Sequence, residues 1–176
     1  VNPKDETEKH NWPEQRGFEH YYGIINGASS LWDPNSLVRN NQLISCVNDP
    51  DYIPAEPYLP YHFTDAISDN GAQYIREQSG DKPFFLYVAY TAAHWPMHAR
   101  ERDIAKYQGK YDGGHETTRV TRFDKMKSLG VVDKNAELSP MAGDWETQPD
   151  KEWEADCMEV YAAMVDQMDQ GIGRIL

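Results

Sequence analysis

The clearest hydrophobic pattern in the 176 residues lies near their end, where Trp153, Cys157, Val160, Met164, Met168, Ile172 and Ile175 recur at steps of three and four. That spacing gathers them into one stripe and predicts a long helix over residues 152–176 with this stripe buried. A second helical pattern, Ile67, Gly71, Tyr74 and Ile75, follows Thr64 as a candidate N-cap and Asp65 at the positive end of the dipole, and it stops at Gly80. A third places Val120, Phe123, Met126 and Leu129 three residues apart, with Lys and Arg toward its end. This predicts a helix over 116–129 stopped by Gly130, preceded by a shorter helix that starts near Glu101.

After the helix that stops at Gly80 the pattern changes. Residues 83–90, Pro-Phe-Phe-Leu-Tyr-Val-Ala-Tyr, form a continuous apolar run of strand length, the signature of a strand covered on both faces of an α/β sheet. Leu37, Leu43 and Ile44 around Asn40-Asn41 predict a short hairpin. Residues 49–60 hold four prolines and read as an extended connector. Residues 1–16 are polar and predict a surface loop, and 17–27 predict a glycine-punctuated loop with aromatic anchors. The expected class is therefore α/β, with a loop-rich aromatic segment at 1–63, a helix and core strand ending at His94 in 64–96, and a helical segment over 97–176. One core strand cannot make a sheet, so the expected sheet, flanked by helices, is incomplete in this chain.

Composition narrows the function classes. The chain is 39% hydrophobic and 26% charged, a globular balance, and carries 17 basic against 29 acidic residues for a formal charge of −12. Such a surface repels nucleic acid and anionic membranes, while leaving room for a local anion site built from a few convergent donors. No run of about 18 apolar residues is present, so no membrane span is expected. The first residues lack both an initiating Met and the apolar core of a signal peptide, which agrees with an internal segment. Cys46 and Cys157 could form one bridge at most and have no metal-binding spacing.

His94 stands just past the carboxyl end of the predicted strand, where ligands bind in open α/β sheets. A lone loop histidine is more often a surface or hydrogen-bonded structural residue, so position alone does not make it functional. A zinc site from His94, His98 and His115 is not expected, because Pro96 keeps His94 and His98 off a common helix face. Asp65, Asp69, Asp166 and Asp169 fall on predicted helices and read as caps or solvated faces. Asp112-Gly113-Gly114 lacks the alternating carboxylates of a calcium loop and reads as a turn. Neither a nucleophile elbow nor a phosphate-cradling glycine motif occurs.

Longer stretches carry more information. Residues 16–23, Arg-Gly-Phe-Glu-His-Tyr-Tyr-Gly, residues 37–41, Leu-Val-Arg-Asn-Asn, residues 64–67, Thr-Asp-Ala-Ile, and above all residues 82–96, Lys-Pro-Phe-Phe-Leu-Tyr-Val-Ala-Tyr-Thr-Ala-Ala-His-Trp-Pro, resemble arylsulfatases of the type I sulfatase family. Residues 111–114, 122–127 and 158–169 resemble the bacterial branch in the same order. The resemblance implies part of an alkaline-phosphatase-like sandwich and hydrolysis of sulfate esters with calcium and a formylglycine. The formylglycine would come from a Cys/Ser-x-Pro/Ala-x-Arg motif, which follows neither Cys46 nor Cys157, and the family's early and late calcium ligands and lysines have no counterpart here. Of the family's active-site residues only His94 maps onto this chain, as both substrate-binding and catalytic residue, a donor to the ester oxygen; no metal ligand maps. The implied partners are a sulfate ester and the remainder of a sulfatase chain, calcium and formylglycine belong to that longer parent, and the segment alone is expected to be inactive. Loop 26–34 is expected at the substrate mouth. Members are commonly exported, which implies a periplasmic or secreted location. A phosphate or phosphonate ester hydrolase on the same scaffold and a non-catalytic sulfatase-like binding domain are the alternatives.

Overall fold

The computed structural model describes residues 6–78, 80 and 82–176. It divides into one unit of Val1–His98 with Met164–Leu176 and a second of Ala99–Ala163. In chain order the regular elements are β1 (Tyr22–Ile24), β2 (Leu37–Arg39), β3 (Gln42–Leu43), α1 (Phe63–Glu77), α2 (Glu101–Ile104), α3 (His115–Ser128) and α4 (Lys151–Ile175). The class is mixed α/β.

In the first unit the strands form an antiparallel sheet in the order β1-β2-β3. Strand β2 pairs Val38 with Leu43 and Arg39 with Gln42, so Asn40 and Asn41 make the predicted turn. Asn40 sits at φ 54°, a left-handed conformation that Asn tolerates better than most residues. Its side-chain Oδ1 also accepts the N–H of Tyr21, which ties the turn back to the start of β1. Leu37 and Val38 are fully buried, while Arg39 lies over the Tyr22 ring and grips Asp49 with Nε and Nη2 at 2.6–3.2 Å. This fork attaches the proline-rich connector to the sheet.

Helix α1 begins two residues earlier than its sequence predicts, since Thr64 was the candidate cap. The cap is His62, whose Nδ1 accepts the N–H of Thr64 at 3.3 Å, and Thr64 is itself buried within the first turn. From Phe63 to Ala72 nearly every residue is buried, including Thr64, Ser68, Asp69 and Asn70. Asp69 therefore departs from the solvated face expected of it: its Oδ2 accepts from the Tyr52 hydroxyl and the Ala55 N–H, and burial, its largest influence, pushes its pKa up. Two glycines permit close approach. Ile175 packs over Gly71, and the Ser68 hydroxyl and Tyr90 occupy the space beside Gly171 of α4.

Two expectations fail in this unit. Residues 83–90 pair with no strand among the described residues; Phe84, Phe85 and Tyr87 are exposed, while Leu86, Val88 and Tyr90 are half-buried. The alternation has the period of two that a pleated chain shows, with one side packed, but a strand exists only through a neighbour's hydrogen bonds, and here none lies beside it. The N-terminal residues, expected as a polar loop, instead form 3-10 turns at Glu6–Asn11 and Pro13–Arg16, with Trp12 between them 2% exposed beneath the Lys9 ammonium. A single indole has enough apolar area to anchor a segment with no hydrophobic period.

In the second unit, Glu159 is buried and accepts the Gly109 N–H at 2.7 Å, and Asp103 pairs with Lys106 at 2.7 Å. Gly114 opens α3 at φ 86° with Trp145 so close that a Cβ would meet its ring at 2.5 Å. Gly130, at φ 70°, ends α3 as predicted: the Gly130 N–H returns to Lys127 and the Val131 N–H to Met126, which together satisfy the last carbonyls. The predicted apolar face of α3 is only partly covered: Phe123 and Met126 are half-buried, Val120 and Leu129 are exposed, and none of the helix's residues is buried. The stripe predicted for α4 is also displaced. Ala155, Glu159, Ala163, Gln167 and Gly171, every fourth residue, are the buried line, joined by Met164, whereas Trp153 is 52% exposed. Small side chains and polar groups that bond across the contact, Glu159 to the Gly109 N–H and Gln167 through Nε2 to His62 and Asp65, lie on that face, where close approach outweighs the hydrophobicity of a bulkier neighbour.

Two substitutions test this packing. At residue 171 an added Cβ would stand 2.1 Å from Ser68 Oγ and 3.2 Å from the Tyr90 hydroxyl. Overpacking of this kind costs about 1–3 kcal/mol, against roughly 1 kcal/mol of helix propensity gained over Gly, so Gly171→Ala should lower the thermal midpoint followed by circular dichroism. Adding Ser68→Ala should recover part of the loss, and a single variant that melts at or above the parent contradicts the close approach. Asp49→Ala would leave Arg39, with a side chain only 12% exposed, without its carboxylate. A loss of about 3 kcal/mol in urea unfolding is expected, and one under about 0.5 kcal/mol would show that the fork is not structural.

Candidate functional site

A cavity of about 450 Å³ opens in the first unit, with Gly27, Ala28, Ser29 and Leu31 on one wall and residues 90–95, including His94, on the other. The sequence separates these walls by some sixty residues, and each is shaped by its own local chemistry.

The first wall is a loop closed on itself. At its base the Ile25 N–H reaches the Ser36 carbonyl, and the Asn26 N–H reaches Ser36 Oγ. Higher up, Ser29 Oγ accepts the Asn35 N–H at 2.8 Å and donates to Asn35 Oδ1 at 3.1 Å, while Ser30 Oγ accepts from the Trp32 and Asp33 amides. These are the short-range side-chain to backbone bonds that Ser and Asn make in turns. Leu31 attaches the loop to its surroundings through both of its backbone groups. Its N–H donates to His98 Nδ1 at 3.2 Å, its carbonyl accepts the Phe63 N–H at 2.7 Å, and its side chain is 2% exposed.

The second wall turns at His94, whose N–H reaches the Thr91 carbonyl at 2.9 Å. The imidazole is exposed, and Nδ1 lies 2.6 Å from the Trp95 carbonyl oxygen. A carbonyl can only accept, so Nδ1 carries the proton in this arrangement. Nε2 is then left for a partner from outside; it is a bare acceptor when the ring is neutral and a donor when the ring is protonated. Tyr90, at the floor, directs its hydroxyl to Ser68 Oγ at 2.9 Å; Ser68 donates to the Thr64 carbonyl, so Tyr90 is the donor of that pair. Burial, first among its influences, raises the Tyr90 pKa and keeps the phenol protonated.

The structure thus brings loop residues 27–31 and His94 to one cavity. Two histidines outside the cavity lining support it: His62, which the sequence did not single out, and His98, named there only in setting aside a zinc site. His98 supports Leu31, and His62 supports His98, with Nε2 donating to the His98 carbonyl at 3.3 Å while Nδ1 faces Thr64 N–H and the Gln167 amide at 3.0 Å. No local signal pairs these positions, because the contacts join residues 36 and 105 apart.

The residues present do not fit the calcium or formylglycine that the resemblance implies. Among the described residues no three His, Cys, Asp or Glu side chains converge as metal ligands. Cys46 faces the Trp32 carbonyl and the Asp33 carboxylate, and burial followed by that carboxylate holds its thiol pKa up; Cys157 is likewise raised, first by burial. Neither thiol lines the cavity. At the cavity wall the exposed His94 imidazole has Nε2 as an atom that accepts a hydrogen bond when the ring is neutral and donates one when it is protonated. No helix among the described residues is long and apolar enough to cross a membrane.

Comparison with known proteins accounts for the whole span. The family model described as Sulfatase matches residues 2–176. An uncharacterized sulfatase of Schizosaccharomyces pombe is 27% identical over 94% of this chain and 32% of its own length, and an arylsulfatase of Klebsiella aerogenes is 26% identical over 93% of this chain and 36% of its own. An uncharacterized sulfatase of Escherichia coli is 27% identical over 60% of this chain and 16% of its own length. The chain spans about a third of the length of the first two relatives. With nearly every residue inside the matched region, the chain belongs to the sulfatase family, whose domain is alkaline-phosphatase-like.

Proposed function

We propose that the protein containing this chain hydrolyses sulfate esters, and that His94 binds the ester and donates a hydrogen bond from Nε2 to the oxygen that leaves with the alcohol. The observation that carries this reading is the hydrogen bond from His94 Nδ1 to the Trp95 carbonyl, which holds an exposed imidazole at the cavity wall and leaves Nε2 as its remaining polar atom. A second support is the name arylsulfatase borne by the Klebsiella aerogenes relative.

The orientation dictates the protonation state. Because Nδ1–H is committed to Trp95, His94 can donate from Nε2 only as an imidazolium. Charge develops on the ester oxygen as the S–O bond lengthens, and a cationic donor placed there stabilises it more strongly than a neutral one. The proton can then pass from Nε2 to the leaving alkoxide, giving the neutral alcohol and a neutral imidazole with its proton on Nδ1. On this proposal, calcium and the formylglycine nucleophile are supplied by the remainder of the parent sulfatase.

In the full-length parent, His94→Ala should reduce kcat by about 10²- to 10⁴-fold, the usual contribution of a positioned proton donor. His94→Gln, which can present a neutral N–H, should recover part of that loss. Steady-state rates on 4-nitrophenyl sulfate decide the matter: an unchanged kcat in His94→Ala refutes the role, and a parent that turns over 4-nitrophenyl phosphate in preference to the sulfate refutes the substrate class.

A further inference from the structure

A side chain from the same segment as His94 reaches across to the other wall of the cavity, His98 to the Leu31 amide. We infer that His98 is a positioning residue: its imidazole holds the Leu31 wall at a fixed place relative to His94 and so sets the shape in which a substrate is bound. This rests on the sulfatase reading for what enters the cavity, but not for the clamp itself.

Three observations carry it. The Leu31 amide donates to His98 Nδ1 at 3.2 Å, so Nδ1 must be unprotonated and His98 bears its proton on Nε2, the tautomer opposite to that of neutral His94. The backbone of His98 is fixed as well: its carbonyl accepts from His62 Nε2, and His62, 1% exposed, receives Thr64 N–H and the Gln167 amide at Nδ1. The wall it grips has its own internal bonds, Ser29 to Asn35 and Ser30 to Trp32 and Asp33, so the loop moves as a piece and Leu31 is a point at which its place is set. Leu31 lines the cavity and is almost wholly buried, and a buried amide that loses its acceptor must either remain unsatisfied or shift. His98 follows His94 by one short turn of chain, Trp95-Pro96-Met97. The bond therefore registers the loop against the catalytic turn rather than against a distant part of the fold.

The geometry makes a specific demand on the acceptor. Asparagine carries Oδ1 at the same distance along the side chain as Nδ1 of histidine, whereas glutamine carries its oxygen one bond further, near the place of Nε2. His98→Asn should preserve the clamp and His98→Gln should break it, although both remain polar. In the full-length parent, with 4-nitrophenyl sulfate, His98→Gln should raise KM about fivefold, the factor commanded by one net hydrogen bond, with kcat within about twofold of the parent; His98→Asn should leave both within about twofold. Hydrogen exchange at the Leu31 amide, read by NMR or mass spectrometry, should quicken at least about fivefold in His98→Gln and stay slow in His98→Asn. Equal KM values in the two variants, or Leu31 exchange unchanged by His98→Gln, would overturn the inference. Should the parent fail to act on sulfate esters, or His94→Ala leave kcat untouched, the proposed function falls while the exchange comparison still decides the clamp.

Discussion

Burial of a helix that is not fully apolar is the constraint on which the first unit depends. Over its first ten residues α1 is enclosed on nearly every side, yet it carries Thr64, Ser68, Asp69 and Asn70 into that enclosure. Each buried polar group must find a partner or destabilise the fold by roughly 1–3 kcal/mol. Some partners are local, the Ala66 carbonyl for Asn70 and the Thr64 carbonyl for Ser68, but others come from distant parts of the chain: Tyr52 and Ala55 of the connector for Asp69, Tyr90 for Ser68, and for the cap residue His62 the Gln167 amide of α4. Arg174 adds a charge 3.5 Å from both Asp65 and Asp69. Satisfying one helix therefore fixes the connector, the segment after residue 82 and the end of α4 together.

The candidate site inherits its precision from this arrangement. His62 caps α1 with Nδ1 and supports His98 with Nε2, and His98 in turn receives Leu31, whose carbonyl meets the first residue of α1. A circuit of hydrogen bonds thus runs from the helix N-terminus to the cavity wall and back. Within it, the histidines take different roles according to the groups they face. An N–H donor opposite Nδ1 makes His62 and His98 acceptors there, whereas the Trp95 carbonyl makes His94 a donor at the same atom. Only the last arrangement leaves Nε2 of an exposed ring available to a substrate.

Much of the local structure is legible in the sequence. The Asn40-Asn41 turn, the glycine stop at Gly130, the proline connector and the three longer helices follow from turn chemistry and periodicity, which act over a few residues. What is illegible has a common cause. Hydrophobicity alone selects one stripe of α4, but the buried line passes through Glu159, Gln167 and Gly171 because Gly109, His62 and Ser68 lie opposite them. Residues 83–90 have the composition of a core strand, but strand pairing belongs to the neighbour as much as to the segment. Trp12 is hidden by its polar surroundings, since one aromatic side chain makes no period.

The sequence by itself determined the family, through the texture of residues 82–96, and with it the identity of His94 as the candidate residue. It also determined where helices start and stop, because backbone sterics and side-chain period are local. Only the tertiary structure decided that loop 27–31 faces His94, that Leu31 hangs from His98 across 67 residues, and which nitrogen of each histidine holds the proton. Proton position and cavity shape are properties of pairs of groups, and the partners in these pairs are brought together by folding rather than by adjacency in the chain.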